Sequence, residues 1–179
     1  MTLRAFDFAR PVSAIRHMYA GQTIEAWGGP GRGTERMPGD SWRPYQSLSF
    51  VTPAFPEYVS GHSTFSTAAA EVFRLYTGSD RFYDGVTVLQ DDFNRDGVPD
   101  LLGQYIVPAG GNRFETSPAE AVTLQWTTFQ DAAAEAGVSR LYGGIHIQDG
   151  DHYGRRMGER IGVQAYALAE RYWSGAAIP

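Results

Sequence analysis

Cysteine is absent from this 179-residue chain, so disulfides are excluded and the compartment cannot be read from redox usage. Long hydrophobic runs are missing as well. No uninterrupted apolar stretch approaches the roughly 18 residues of a membrane span. There is no basic block: 15 Lys and Arg stand against 20 Asp and Glu, for a formal net charge of −5. That balance points away from nucleic acid and from anionic membrane surfaces as partners. The opening MTLRAFDFARP has no long apolar core, so no secretory leader is expected within it. What is present is ordinary for a soluble globular protein, with 42% hydrophobic and 20% charged residues. The length suits one domain spanning 1–179, with room for a sizeable core.

Helical signals dominate. Residues from Leu3 to about Met18 read as a helix carrying Arg10, with Pro11 placing a kink or restart. The Gly- and Pro-rich stretch 28–44 reads as a loop, and 45–61 as irregular. From His62 the segment STFSTAAAEVFRLYTG reads as a helix closed by Gly78, with Phe65, Ala69, Val72, Phe73 and Tyr76 on one face. A polar excursion covers about 79–115, with a short strand at Val86–Leu89. Ser117-Pro118-Ala119-Glu120 has the form of a capping box and predicts a helix running to Gly137, with Val122, Leu124, Trp126, Phe129 and Ala133 on its apolar side. The last helix is expected from about Gly150 to Trp173, with Tyr153, Met157, Ile161, Leu168 and Tyr172 as a core stripe. Gly154, Gly158 and Gly162 recur every four residues on it, a spacing that permits close helix contact and leaves a homodimer open, while Arg155, Arg156, Glu159 and Arg160 rule out burial in lipid.

Three separated pieces carry the chemistry. They are Arg10-Pro11, then Ser60-Gly61-His62, then Ser139-Arg140 followed by five residues and His146. Two guanidiniums, a hydroxyl, a glycine amide and two imidazoles form a set that can hold a tetrahedral oxyanion. One imidazole can attack or ligate its centre while the other moves a proton at the far side. Each residue has a plainer reading: a surface Arg beside a proline, an N-cap serine, a structural histidine. Ser60 and Gly61 precede a helix, where exposed amides favour an anion and glycine lets it approach. His17 and His152 fall in no motif.

The order Arg-Pro, Ser-Gly-His, Ser-Arg-x5-His resembles the vanadium-dependent haloperoxidase and type 2 phosphatidic acid phosphatase superfamily. TPAFPEYVSGHSTFSTAAAEVF and DAAAEAGVSRLYGGIH look like its soluble bacterial haloperoxidase branch. The resemblance covers about Phe6 to Tyr172 and implies a mainly α fold, a helical bundle of the acid phosphatase/vanadium haloperoxidase type. In that family several helices precede the Arg-Pro segment, so the catalytic half of a longer protein is expected, lacking N-terminal helices. The compartment stays open, secreted or periplasmic if a longer precursor exists.

The resemblance implies roles. Arg10, Ser60, Gly61 and Arg140 would neutralise the equatorial oxygens of vanadate, a site that phosphate also suits. His146 would be its axial ligand, and His62 the acid–base group. A carboxylate should hold the other ring nitrogen of His146. Much of the superfamily has Asp four residues after that histidine; here Gly150 stands there, which makes Asp151 the candidate. The family also has a Lys seven residues before its motif Arg, where this chain has Leu3, and the adjacent Arg4 points about 100° away on a helix. Phe55 is expected to pack beside the anion, and Trp42-Arg43-Pro44 to lie outside the site. The implied activity is vanadate-dependent oxidation of halide by hydrogen peroxide to hypohalous acid. A soluble acid phosphatase turning over phosphoesters through a phosphohistidine is the first alternative, and an inactive or truncated fragment the second.

A separate motif lies in DDFNRDGVPDLLG. Oxygen donors on Asp92, Asn94, Asp96 and Asp100, with the Val98 carbonyl and Gly97 for the sharp turn, match what Ca²⁺ demands. Gly103 replaces the usual bidentate Glu at the twelfth position. A plain Asp-Gly turn explains the same residues.

Overall fold

The computed structural model describes residues 9–93 and 95–176. Four helices and two short antiparallel pairs of strands follow one another: α1 (Pro11–Met18), β1 (Thr23–Trp27), β2 (Thr34–Pro38), α2 (Gly61–Thr77), β3 (Gln104–Val107), β4 (Val122–Gln125), α3 (Phe129–Tyr142) and α4 (Gln148–Trp173). Leu3 and Arg4 lie outside the described residues. Arg10 is extended backbone at the start of α1 rather than part of a helix turn, and Pro11 opens the helix, where its missing N–H costs nothing.

The helix α2 starts and stops where local chemistry dictates. The Ser60 hydroxyl accepts the Ser63 amide at 3.3 Å, and Gly78 closes the far end at φ 70°. Its buried face differs from the apolar stripe read from the sequence. Phe65, Phe73 and Tyr76 are exposed, whereas Ser63, Thr64, Thr67, Ala70 and Glu71 are buried. The same inversion holds for α4, which exposes Tyr153, Met157, Ile161, Leu168 and Tyr172 and buries Gly150, Asp151, Gly154, Gly158 and Gly162. The two helices meet along a seam of small residues. A Cβ on Gly154 would lie 2.9 Å from the Ser60 carbonyl, and one on Gly162 would lie 2.6 Å from the Ala68 carbonyl. The glycine row therefore serves contact within the chain, against α2.

The helix α3 begins at Phe129, eleven residues after Pro118, and uses a different capping box. Thr128 accepts the Asp131 amide at 3.0 Å, and Asp131 accepts the Thr128 amide at 2.9 Å. Val122 and Leu124, expected on that helix, lie in β4, which pairs with β3 in the register Val107↔Val122 and Tyr105↔Leu124. Gly137 does not end α3. It is buried mid-helix, where a Cβ would fall on the Asp151 carboxylate and 2.9 Å from Ser63 Oγ. The 28–44 stretch is also more ordered than a loop: β2 lies within it and pairs with β1, Trp27↔Thr34 to Thr23↔Pro38.

One buried network fastens α2, α3 and α4 together. Asp151, 1% exposed, accepts Ser63 Oγ–H at 2.6 Å and both Arg155 Nε–H (3.0 Å) and Nη2–H (2.8 Å), while Arg155 Nη2 also donates to the Ala134 carbonyl at 2.9 Å. Among the described residues no helix is long and apolar enough to cross a membrane.

Candidate active site

The Ser139-Arg140-x5-His146 spacing is the geometry of a helix end. In the last turn of α3 the Arg140 carbonyl accepts the Ile145 amide at 3.1 Å and the His146 amide at 3.3 Å. Gly144, at φ 69°, supplies the left-handed turn that folds the chain back. Ile145, 1% exposed, pins the return. Arg140 and His146 are thus held on one short loop, and α4 starts directly after it.

His146 is 5% exposed and bonded at both ring nitrogens. Its Nδ1 lies 2.8 Å from Glu57 Oε1, and its Nε2 lies 3.1 Å from Arg10 Nη1. A guanidinium only donates, so Nε2 must accept, and the ring is neutral with its proton on Nδ1, donated to Glu57. The pKa of His146 is lowered accordingly. Burial is the main cause and Arg10 adds to it, against the opposing pull of Glu57.

This corrects the assignment of Asp151. Its oxygens are taken by Ser63 and Arg155, so it braces helices instead of holding His146. Glu57 takes that place, fully buried, with Oε1 also accepting the Ile147 amide at 3.0 Å. The sequence offered no period to find it by. Glu57 sits in an irregular segment, and only its closeness to the Ser-Gly-His motif marks it.

Arg10 is 7% exposed and anchored through three contacts besides His146. Nε donates to the Phe55 carbonyl and Nη1 to the Ile145 carbonyl, each at 2.9 Å, and the guanidinium lies 4.6 Å from the Phe55 ring centroid. Its Nη2 is buried with no partner among the described residues. A buried cationic donor left over in this way can still meet an anion. Ser60, also fully buried, accepts the Ser63 amide and keeps its own O–H to donate. A Cβ on Gly61 would meet nothing within 4 Å, so the space before this helix start is open.

His62 stands on the first turn of α2, exposed, with no hydrogen bond to any described residue. Partial desolvation lowers its pKa, and Arg140 and His146 lower it further, which places both within electrostatic reach. Arg140 is half-buried, its Nε donating to Ser139 Oγ at 3.0 Å, and desolvation lowers its pKa as well. It borders a recess of about 370 Å³ lined by Tyr45, Phe114 and Tyr142 among others. Arg43 donates to the Gly28 carbonyl at 2.9 Å. His17 and His152 are exposed on α1 and α4.

The structure therefore brings Arg10 against His146, and His62 near Arg140 and His146, from three separated pieces of sequence. It does not gather the acidic loop in the same way. Asn94 lies outside the described residues. Asp92 accepts the Asp96 and Gly97 amides at 3.1 and 2.8 Å, Asp96 accepts Val98 N–H at 2.8 Å, and the buried Asp100 accepts Phe93 N–H at 2.7 Å. Among the described residues no group of three or more His, Cys, Asp or Glu is placed to hold a metal ion.

Among the described residues, a bundle of α-helices holds Arg10, His62 and His146 at or next to the starts of α1, α2 and α4. The chain belongs to the family described as the VCPO second helical-bundle domain, whose model matches residues 2–175. Among solved structures it is similar to a holo-type bacterial vanadium-dependent chloroperoxidase, at 28% identity and a TM-score of 0.73 over 90% of this chain and 30% of that one. The apo-type bacterial vanadium-dependent chloroperoxidase gives 28% identity and a TM-score of 0.76 over 94% and 32%. This chain thus spans about a third of the length of those relatives. No curated protein matches it.

Proposed function

We propose that this chain binds vanadate and takes part in the oxidation of halide by hydrogen peroxide, yielding hypohalous acid and water. The observation that carries the reading is the forced state of His146: a buried, neutral imidazole whose Nε2 lone pair shares its position with an unsatisfied guanidinium. The donor set suits a tetrahedral oxyanion. Arg10 Nη2, Arg140, the Ser60 hydroxyl and the Gly61 amide can each meet an oxygen, and His146 Nε2 can ligate the centre once Arg10 Nη1 turns to the anion. Bound vanadate would supply a Lewis-acid centre that keeps its oxidation state. The remaining steps fall to side chains. Arg10 and Arg140, already desolvated, hold the anion more firmly than solvated cations would. His62, neutral and open to solvent, can take a proton from incoming peroxide and return it to the leaving oxygen.

The relatives named above are vanadium-dependent chloroperoxidases, which supports this branch over phosphatase chemistry. Two assays on the same preparation test it: halogenation of an organic acceptor with and without added orthovanadate, and hydrolysis of a phosphomonoester without vanadate. Vanadate-dependent halogenation is the expected result. Phosphoester turnover with no vanadate-dependent halogenation would replace the reading with the phosphatase one.

A further inference from the structure

Glu57 and Gly150 come from different segments, yet they occupy one chamber. Glu57 is 0% exposed, and its Oε1 receives two N–H groups, from His146 Nδ1 at 2.8 Å and from Ile147 at 3.0 Å. Ile147 is the residue before α4, and its own side chain cannot cap a helix. Glu57 therefore caps α4 from outside, where a negative charge is favoured at a helix start. With the same oxygen it sets the ring. The other half of the chamber is Gly150, on the first turn of α4. A Cβ there would lie 2.6 Å from Glu57 Cδ and 2.8 Å from Oε2, and closer still to Oε1. No side chain fits at 150 while the carboxylate holds its place.

We infer that Glu57 is the positioning residue that fixes the Nδ1–H tautomer of His146, and that Gly150 is the space it requires. The inference rests on the proposed role of His146 as the oxyanion ligand. A neutral imidazole without an acceptor at Nδ1 can carry its proton on either nitrogen. A proton on Nε2 would face Arg10 Nη1 at 3.1 Å, donor against donor, and would remove the lone pair that ligation needs. The carboxylate prevents this by accepting from Nδ1. Because a Cβ at residue 150 would start within the present carboxylate, an Asp there could deliver the same group from the opposite wall once Glu57 is shortened.

The test compares the 179-residue chain with Gly150→Ala, Glu57→Ala, Glu57→Gln and the exchange pair Glu57→Ala/Gly150→Asp. ¹⁵N spectra of the histidine ring report the tautomer near pH 7.5 with no ligand, and calorimetry reports orthovanadate affinity. The parent should show Nδ1–H. Gly150→Ala and Glu57→Ala leave a buried Nδ1–H with no acceptor, so the proton should move to Nε2 or to a mixture, with Arg10 Nη1 turning from the ring, and orthovanadate should weaken about 10- to 100-fold. Glu57→Gln, still able to accept, should keep the tautomer. The exchange pair should restore Nδ1–H and recover most of the affinity. A parent without Nδ1–H, an unchanged tautomer in Glu57→Ala, or an exchange pair that behaves like Glu57→Ala overturns the inference. Should Gly150→Ala not fold, the Glu57 variants and the pair decide alone, since shortening Glu57 adds no atom to a packed space. Equal orthovanadate binding by the parent and His146→Ala would instead refute the proposed function, while the ring spectra would still judge the tautomer.

Discussion

The two imidazoles of the site are built on opposite terms. His146 is buried, bonded at both ring nitrogens and fixed in one tautomer by Arg10 and Glu57. His62 is exposed and has no hydrogen bond to any described residue. Both have lowered pKa values with desolvation as the first cause, so both are neutral near pH 7. The contrast suits the two kinds of work proposed for them. A ligand needs a lone pair at a fixed point, which costs burial and neighbours. A proton carrier needs solvent access and freedom to turn, which a fully bonded ring lacks.

The strongest way to break this comparison is to remove each ring in turn. His146→Ala should abolish measurable orthovanadate binding and reduce halogenation to background. His62→Ala should lower turnover about 10²- to 10⁴-fold, the usual span for a general acid–base group, and leave affinity within a few-fold of the parent. Calorimetry beside steady-state rates reads both. If His62→Ala loses affinity as completely as His146→Ala, the division of labour is wrong and both rings are ligands.

The arginines sharpen the same contrast at a smaller scale. Arg10 uses its planar fork on Phe55, Ile145 and His146 at once, and stacks on the Phe55 ring. Lys cannot reproduce that set of directions. Arg10→Lys should therefore weaken orthovanadate by about 100-fold, the cost of a lost donor in a preorganised anion site, and lower Tm as well. Arg140 is held only by its neighbour Ser139 among the described hydrogen bonds. Arg140→Lys should weaken binding by about tenfold, with Tm unchanged and the loss growing with salt, because a point charge still serves there. Equal losses at the two positions would remove the distinction between a built wall and an open one.

Why some of this was legible in the sequence follows from how locally each feature is fixed. The start of α2 is set by Ser60 and its end by Gly78, signals that act over a few residues. The second capping box shows the limit. Ser117-Pro118-Ala119-Glu120 and Thr128-Phe129-Gln130-Asp131 both fit the pattern, and the pairing of Val122–Gln125 with Gln104–Val107 decides in favour of the later one. Helix faces are the least legible feature. Phe65, Phe73 and Met157 fall on apolar stripes, yet α2 and α4 bury their small residues against each other, because glycine and serine permit an approach that large side chains forbid. Glu57 carries no sequence signal for a related reason. A buried carboxylate in an irregular segment is defined wholly by what surrounds it, here Gly150 and His146, both distant in sequence.

The smallest expected effect concerns acid, and its sign follows from the same two rings. In the unfolded chain each histidine takes up a proton near the ordinary value of 6.5; in the folded chain both resist it. Between the lowered folded values and 6.5 the unfolded state binds more protons, so stability rises with pH across that window. It is fully present above 6.5 and is lost as pH falls toward the folded values. The carboxylates with lowered pKa, Asp84 and Glu115, titrate below 4.5 and do not enter this range. Urea midpoints at pH 7.5, 6.5 and 5.5 should therefore decline on acidification. His62→Ala should keep most of that decline, since exposure screens the charge that His62 would acquire. His146→Ala should flatten it, since the buried ring beside Arg10 is where a proton is most resisted. A profile flattened by His62→Ala and untouched by His146→Ala would reverse the assignment of which ring the fold holds neutral.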